Sequence, residues 1–167
     1  HLGTAWDLAH RFLAALEPLE PVQRADFAGS LRRGRETIGD VDILVAAEPA
    51  EAGPIFETFC THEAVAEVLV RGETKASVRT DVGMQVDLRV VEPASFGAAM
   101  LYFTGSKEHN VLLRERARQR GMTLNEYALA RLPGEGDDAA GEIVARETEE
   151  SIYDALGLSW IAPELRE

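Results

Sequence analysis

Gly29-Ser30, followed ten residues later by Asp40-Val41-Asp42 at the mouth of an apolar run, constrains this chain more than any other feature. A strand over 41–47 turns successive side chains to opposite faces, so Asp40 and Asp42 share one face and Val41, Ile43 and Val45 line the other. Two carboxylates side by side repel each other unless something positive stands between them, and hard divalent cations such as Mg²⁺ and Mn²⁺ take oxygen ligands. A cation is the natural occupant. The alternative is that Gly39-Asp40 is only a turn feeding the strand, with both aspartates solvated at its start.

A third carboxylate strengthens the first reading. In Met84-Gln85-Val86-Asp87-Leu88-Arg89-Val90 the even positions are apolar and the odd ones polar, the alternation of a half-buried strand. Asp87 therefore points to the polar side, where it either pairs with Arg89 two residues on or completes a set with Asp40 and Asp42. A two-metal site needs carboxylates from more than one strand to hold ions about 3.5–4 Å apart, and three acids on adjacent strands meet that need.

The chain is 167 residues long, enough for one compact domain or a domain with a small appended lobe. No apolar stretch reaches the roughly 18 residues of a membrane span and no secretory signal pattern is present, so a cytoplasmic protein without a membrane partner is expected. The lone cysteine, Cys60, excludes an internal disulfide and reads as a core thiol, and the four histidines lack metal-ligand spacing. A net charge of −12 argues against coating nucleic acid by bulk electrostatics, yet five basic residues fall between Lys107 and Arg120 against two acids. That run is either a solvated helix face or a nucleic-acid contact.

Periodicity predicts a helix over 5–16 stopped by Glu17-Pro18, a strand over Arg24 to Ala28, a helical turn over Leu31 to Gly34, and the strand 41–47. A helix over 51–61 and strands over 65–71, 74–80 and 84–91 follow. After Pro93 the pattern turns helical, over 94–103 and 106–120, with Thr104-Gly105 as the break. Leu124 to Ala130 reads as one short strand, Leu132 to Gly141 as a loop, 148–156 as a helix opened by Thr148, and Trp160 to Glu167 as a linker. The expected class is α+β: a mixed-sheet lobe over 1–92 and a smaller, mainly helical lobe over 93–167.

The set Gly29-Ser30-Leu31-Arg32-Arg33-Gly34, Gly39-Asp40-Val41-Asp42, Val86-Asp87-Leu88-Arg89, Tyr102-Phe103-Thr104-Gly105-Ser106 and Leu124-Asn125-Glu126-Tyr127 resembles the catalytic core of family X DNA polymerases, of bacterial type. Gly-Ser with Asp-x-Asp occurs across the wider nucleotidyltransferase superfamily; Tyr-Phe-Thr-Gly-Ser with Asn-Glu-Tyr further on narrows it. The resemblance implies a polymerase beta-like palm from 1–92 and, from 93–167, the thumb subdomain that binds the nascent base pair. Asp40, Asp42 and Asp87 match its metal-binding, catalytic triad, which implies two Mg²⁺ or Mn²⁺ ions that activate a primer 3′-hydroxyl and neutralise the triphosphate, with Asp87 serving the hydroxyl side. Ser30 and Arg33 match residues that hold the outer phosphates, with Gly29 and Gly39 as nucleotide-binding positions beside them. Tyr102, Phe103 and Gly105 match the segment against the incoming sugar, Asn110 the residue that reaches the incoming base, and Arg114 one contacting the template strand. Lys107 opens a basic helix expected to face DNA, and Glu126 and Tyr127 match residues tied to closing motion.

The chain departs from the vertebrate pattern at Gln85, neutral where those members carry an arginine that links the carboxylates to closure. Family members also carry an N-terminal helix-hairpin-helix region and, in bacteria, a C-terminal phosphoesterase domain, both expected in the full-length protein. A chain limited to these residues is expected to be a monomer acting on gapped or primed DNA with dNTP in the cytoplasm, at the nucleoid. It should show weak DNA affinity, poor processivity, and neither lyase nor exonuclease activity. Two other functions remain open: a template-independent or small-molecule nucleotidyltransferase using the same aspartates, and a non-catalytic DNA-binding module.

Overall fold

The alternation at 40–46 and 85–91 becomes the centre of a sheet. In the computed structural model, which describes residues 2–35, 39–133 and 141–167, the chain divides into two units, His1–Pro93 and Ala94–Glu167.

The first unit opens with helix α1 (Leu2–Leu16), whose buried Ala5, Leu8, Ala9, Phe12, Leu13 and Leu16 recur at helical spacing along one stripe. Pro18 ends it by disfavouring helical geometry in Glu17 before it. Strand β1 (Arg24–Ala28) runs straight into a single helical turn, α2 (Gly29–Arg32), and then comes β2 (Asp40–Ala46). The turn begins at Gly29, two residues before the expected Leu31, because Gly29 adopts φ +66° and breaks the strand on the spot. Helix α3 (Gly53–Cys60) has Pro54 in its first turn, where the missing N–H has no intrahelical partner to lose. Strands β3 (Val65–Arg71), β4 (Lys75–Thr80) and β5 (Gln85–Val91) complete the unit.

The five strands lie in the order β1-β2-β5-β4-β3, with β2 and β5 parallel and every other pair antiparallel. Val41, Ile43 and Val45 of β2, Val86, Leu88 and Val90 of β5, and Ala76 and Val78 of β4 share a core with the buried stripes of α1 and α3. Each fully buried Val, Leu or Ile stabilises this layer by roughly 1.5–3 kcal/mol. The helices thus cover one face of the sheet and fix its register, since a slip of one residue in β2 would bury Asp40 and Asp42 in place of Val41 and Ile43. Cys60 is buried in the same layer, and burial raises its thiol pKa.

The second unit contains α4 (Phe96–Thr104), α5 (Lys107–Gln119), a three-stranded antiparallel sheet of β6 (Met122–Leu124), β7 (Leu129–Arg131) and β8 (Ile143–Ala145), and α6 (Glu149–Ala155). Its core joins Ala98, Leu101, Leu113, Leu129, Ile152 and Tyr153 among others. Gly97 is required by close approach: a Cβ there would collide with the Thr148 backbone, and the Gly97 and Ala98 amides donate to the carbonyls of Glu147 and Arg146 at 3.1 and 3.0 Å. Otherwise unpartnered donors at the start of α4 are satisfied in this way.

Two expectations change here. The single strand over 124–130 is a hairpin instead, because the Asn125 Oδ1 accepts the amides of Tyr127 and Ala128 at 2.9 and 3.0 Å and turns the chain back. Residues 160–167, expected to be a linker, pack onto the unit, with Pro163 and Arg166 buried. The loop expected over 132–141 lies largely outside the described residues. Among the described residues no helix is long and apolar enough to cross a membrane.

Candidate active site

On the face of the first sheet away from α1 and α3, the side chains fall into rows across the strands. Parallel pairing sets Asp40 opposite Gln85 and Asp42 opposite Asp87, while Ser77 of β4 stands opposite Asp87 on its other side. The next row holds Leu44, Arg89 and Lys75. The three predicted carboxylates therefore share one face, on two neighbouring strands.

The first loop meets them there. A Cβ on Gly29 would collide with Asp42 Oδ2, so only glycine lets the start of α2 press its backbone against that carboxylate. Ser30 follows on α2, half-buried, and Arg33 is the residue that closes this turn. Gly39 is exposed at the mouth of β2.

Asp87 is 9% exposed and held by two donors: Ser77 Oγ at 2.5 Å and Gln85 Nε2 at 3.0 Å, both to Oδ1. Neither donor is evident from sequence alone, although the i, i+2 relation of Gln85 to Asp87 is a usable signal; Ser77 is brought in by strand pairing ten residues away in sequence. Gln85, neutral where the vertebrate pattern has an arginine, thus takes a direct part in fixing the third carboxylate.

Burial and then the Asp87 charge push the Asp42 carboxyl up to about 6; Arg89 opposes this, Asp40 adds to it, and Lys75 opposes it again. Burial and Asp87 also raise Asp40. A cation between these groups would relieve that repulsion, and the donor set, hard carboxylate oxygens alone, suits Mg²⁺ or Mn²⁺. Among the described residues no three acids, histidines or cysteines converge into a preformed cage.

In the second unit the predicted residues also gather. Tyr102 and Phe103 sit at the end of α4 with ring centroids 5.0 Å apart, edge to face. Gly105 (φ +69°) turns the chain into α5, whose N-cap is Ser106, with its Oγ accepting the His109 amide at 3.3 Å. Asn110 Nδ2 donates to the Tyr102 carbonyl at 2.9 Å, and Tyr102, Asn110 and Arg114 line one depression with Leu101, Leu124 and Asn125. Lys107 is exposed in the first turn of α5, and Glu126 and Tyr127 form the tip of the β6–β7 hairpin.

The basic run does not all point one way. Lys107, Arg114 and Arg118 recur at helical spacing on one face of α5, whereas Arg116 donates from Nε to the Leu156 carbonyl at 2.6 Å. Arg116 and Arg120 lie against Gly157, just past the C-terminus of α6, where cations complement the helix dipole. These two serve the fold.

Sheet order, carboxylate face and thumb-like second unit together define a polymerase beta-like α+β fold. Across 99% of its length the chain superposes on Leishmania infantum polymerase beta from a ternary complex, at 24% identity and a TM-score of 0.84, covering 76% of that chain. Residues 99–167 match the DNA polymerase beta thumb. The particular likeness is to the family X DNA polymerases: the chain is 33% identical to the DNA polymerase/3′-5′ exonuclease PolX of Bacillus subtilis over 99% of its own length, and 28% identical to rat DNA polymerase lambda over 83%. It spans 28% of the length of each of these relatives.

Proposed function

We propose that the chain is the catalytic core of a DNA-directed DNA polymerase, adding deoxynucleotides from dNTP to a primer 3′-hydroxyl in gap-filling repair. The observation that carries the reading is the register of Asp42 against Asp87 on adjacent parallel strands, with Asp40 beside them and Gly29 pressed onto Asp42. The likeness to DNA polymerases at both units supports it.

In this reading the hydroxyl oxygen attacks the α-phosphorus, the bond to pyrophosphate breaks, and the hydroxyl proton passes to Asp87 through its Oδ2. Two Mg²⁺ or Mn²⁺ ions held by Asp40, Asp42 and Asp87 would lower the hydroxyl pKa and offset the triphosphate charge. Ser30 and Arg33 hold the outer phosphates, the guanidinium fork matching phosphate oxygens. Tyr102, Phe103 and Gly105 form the wall beside the sugar, Asn110 reaches the incoming base, and Arg114 with Lys107 contacts DNA. The setting is the cytoplasm at the nucleoid, with the chain acting as a monomer within a longer protein.

The test is single-nucleotide extension of a labelled primer on one-nucleotide-gapped DNA, with Mg²⁺ or Mn²⁺, comparing the chain with Asp42→Asn. Template-matched extension that the variant loses is expected. Equal incorporation opposite matched and mismatched bases would favour a template-independent nucleotidyltransferase, and extension that survives Asp42→Asn would remove the assignment.

A further inference from the structure

Among the described residues of the second unit, the segment expected to be a linker holds the most deeply buried charge. Arg166 is 0% exposed and Glu149, in the first turn of α6, 6%. Their pairing is two-pronged, Nη1 to Oε2 at 2.8 Å and Nη2 to Oε1 at 3.3 Å, while Arg166 Nε donates to the Ile161 carbonyl at 2.9 Å. The guanidinium lies 5.4 Å from the Tyr153 ring centroid and 5.6 Å from that of Trp160, whose indole N–H donates to Glu149 at 3.2 Å. Carboxylate, carbonyl and two rings thus hold this side chain in one place.

The consequence lies in its main chain. The Arg166 carbonyl accepts the Ser106 amide at 3.3 Å, and Ser106 is the residue that caps α5. One turn later His109 Nε2 hydrogen-bonds the hydroxyl of Tyr153 at 2.8 Å, under the same guanidinium. The lock therefore reaches the 105–110 segment at two points, and Asn110 in turn holds the Tyr102 carbonyl.

We propose that Arg166, oriented by Glu149, is a positioning residue that sets the 105–110 segment and through it the nucleotide selectivity of Tyr102, Asn110 and Arg114. The proposal rests on the polymerase reading of the site. A buried ion pair is a poor device for stability alone, because well-packed apolar residues often serve as well or better, whereas it fixes one geometry against alternatives. A planar, two-pronged Arg–carboxylate pair does so more strictly than any lysine could.

The experiment uses the full chain bound to gapped DNA whose primer lacks its 3′-hydroxyl, with Mg²⁺, so that matched and mismatched dNTP affinities are read at equilibrium without turnover. The variants are Arg166→Lys, which keeps the charge, and the double replacement Glu149→Gln/Arg166→Met, which leaves no buried charge alone. Hydrogen exchange at the Ser106 amide and Mn²⁺ binding at Asp40, Asp42 and Asp87 are followed alongside. In both variants we expect faster exchange at Ser106, matched-dNTP affinity about tenfold weaker with mismatched affinity little changed, and Mn²⁺ binding as in the wild type. If exchange accelerates while discrimination is retained, Arg166 is structural only and the proposal falls; unchanged exchange at Ser106 overturns it too. Should only Arg166→Lys fold, that variant alone decides. A wild type that binds no dNTP overturns the polymerase reading and this inference together, whereas variants that match a binding wild type overturn the inference alone.

Discussion

At Asp42 the fold places a carboxylate where burial and two neighbouring carboxylates oppose its ionisation. The folded protein therefore keeps a proton on Asp42 up to about pH 6, while the unfolded chain releases it near 3.8. The sign follows: unfolding free energy falls through this group as pH rises from about 4 to 6, and the full cost stands above 6. A shift of this size, discounted for partial exposure, is on the order of 1–2 kcal/mol. Metal-free Asp42→Asn is thus expected to be more stable than the wild type at pH 7 and nearly equal to it at pH 4, and added Mn²⁺ should raise the melting temperature of the wild type only. Urea or thermal melts at both pH values, with and without Mn²⁺, decide the point; a variant less stable at pH 7 would mean the carboxylate is welcome where it stands. Ser77 offers a second test. Its hydroxyl fixes Asp87 Oδ1, so Ser77→Ala should lower kcat by on the order of tenfold with dNTP KM held, as expected when a reacting group loses orientation but the binding contacts remain. A change in KM alone would argue against that role.

On the scale of elements, α5 separates two tasks that its sequence runs together. Lys107, Arg114 and Arg118 lie on one face, while Arg116 and Arg120 close the end of α6. Removing one basic side chain from a phosphate reduces the slope of log K against log salt by about 0.9 on duplex DNA. Arg118→Ala and Arg114→Ala should each weaken DNA binding and flatten that slope with the melting temperature little altered. Arg116→Ala should do the reverse, lowering the melting temperature as the Leu156 carbonyl loses its donor while the salt slope stays. The same contrast explains what the sequence reveals. Alternation at 40–46 and 84–90 and the stripe in α1 are local patterns that place strands and helices of the first unit and the carboxylate face itself, as the Thr148 cap places the start of α6 in the second. Partners far along the chain leave no such pattern. Arg166 with Pro163 and flanking glutamates reads as surface until Glu149, seventeen residues earlier, is brought against it. Ser77 becomes a partner of Asp87 only through the register of β4 on β5, and the Asn125 turn that splits 122–131 into two strands depends on one side-chain oxygen.

For the molecule as a whole, the division of labour follows the division of the core. The apolar cluster under the first sheet draws only on residues before Pro93, and that of the second unit only on residues after it, so each unit has the burial a small domain needs to fold alone. All three carboxylates, the donors to Asp87, the opposing charges Arg89 and Lys75, and the Gly29 approach lie in the first unit. The residues assigned to the sugar, base and template lie in the second. Cation binding should therefore be separable from nucleotide selection. Residues 1–93 expressed alone are expected to fold and to bind Mn²⁺, followed by electron paramagnetic resonance, with an affinity within a few fold of that of the full chain, because every carboxylate and every charge acting on it is retained. The same fragment should incorporate no nucleotide on gapped DNA, and supplying 94–167 as a separate chain should not restore incorporation efficiently, since two untethered pieces lack the effective concentration of a linked pair. A folded fragment that binds no Mn²⁺, beside a full chain that does, would overturn the assignment of the cation to Asp40, Asp42 and Asp87 alone.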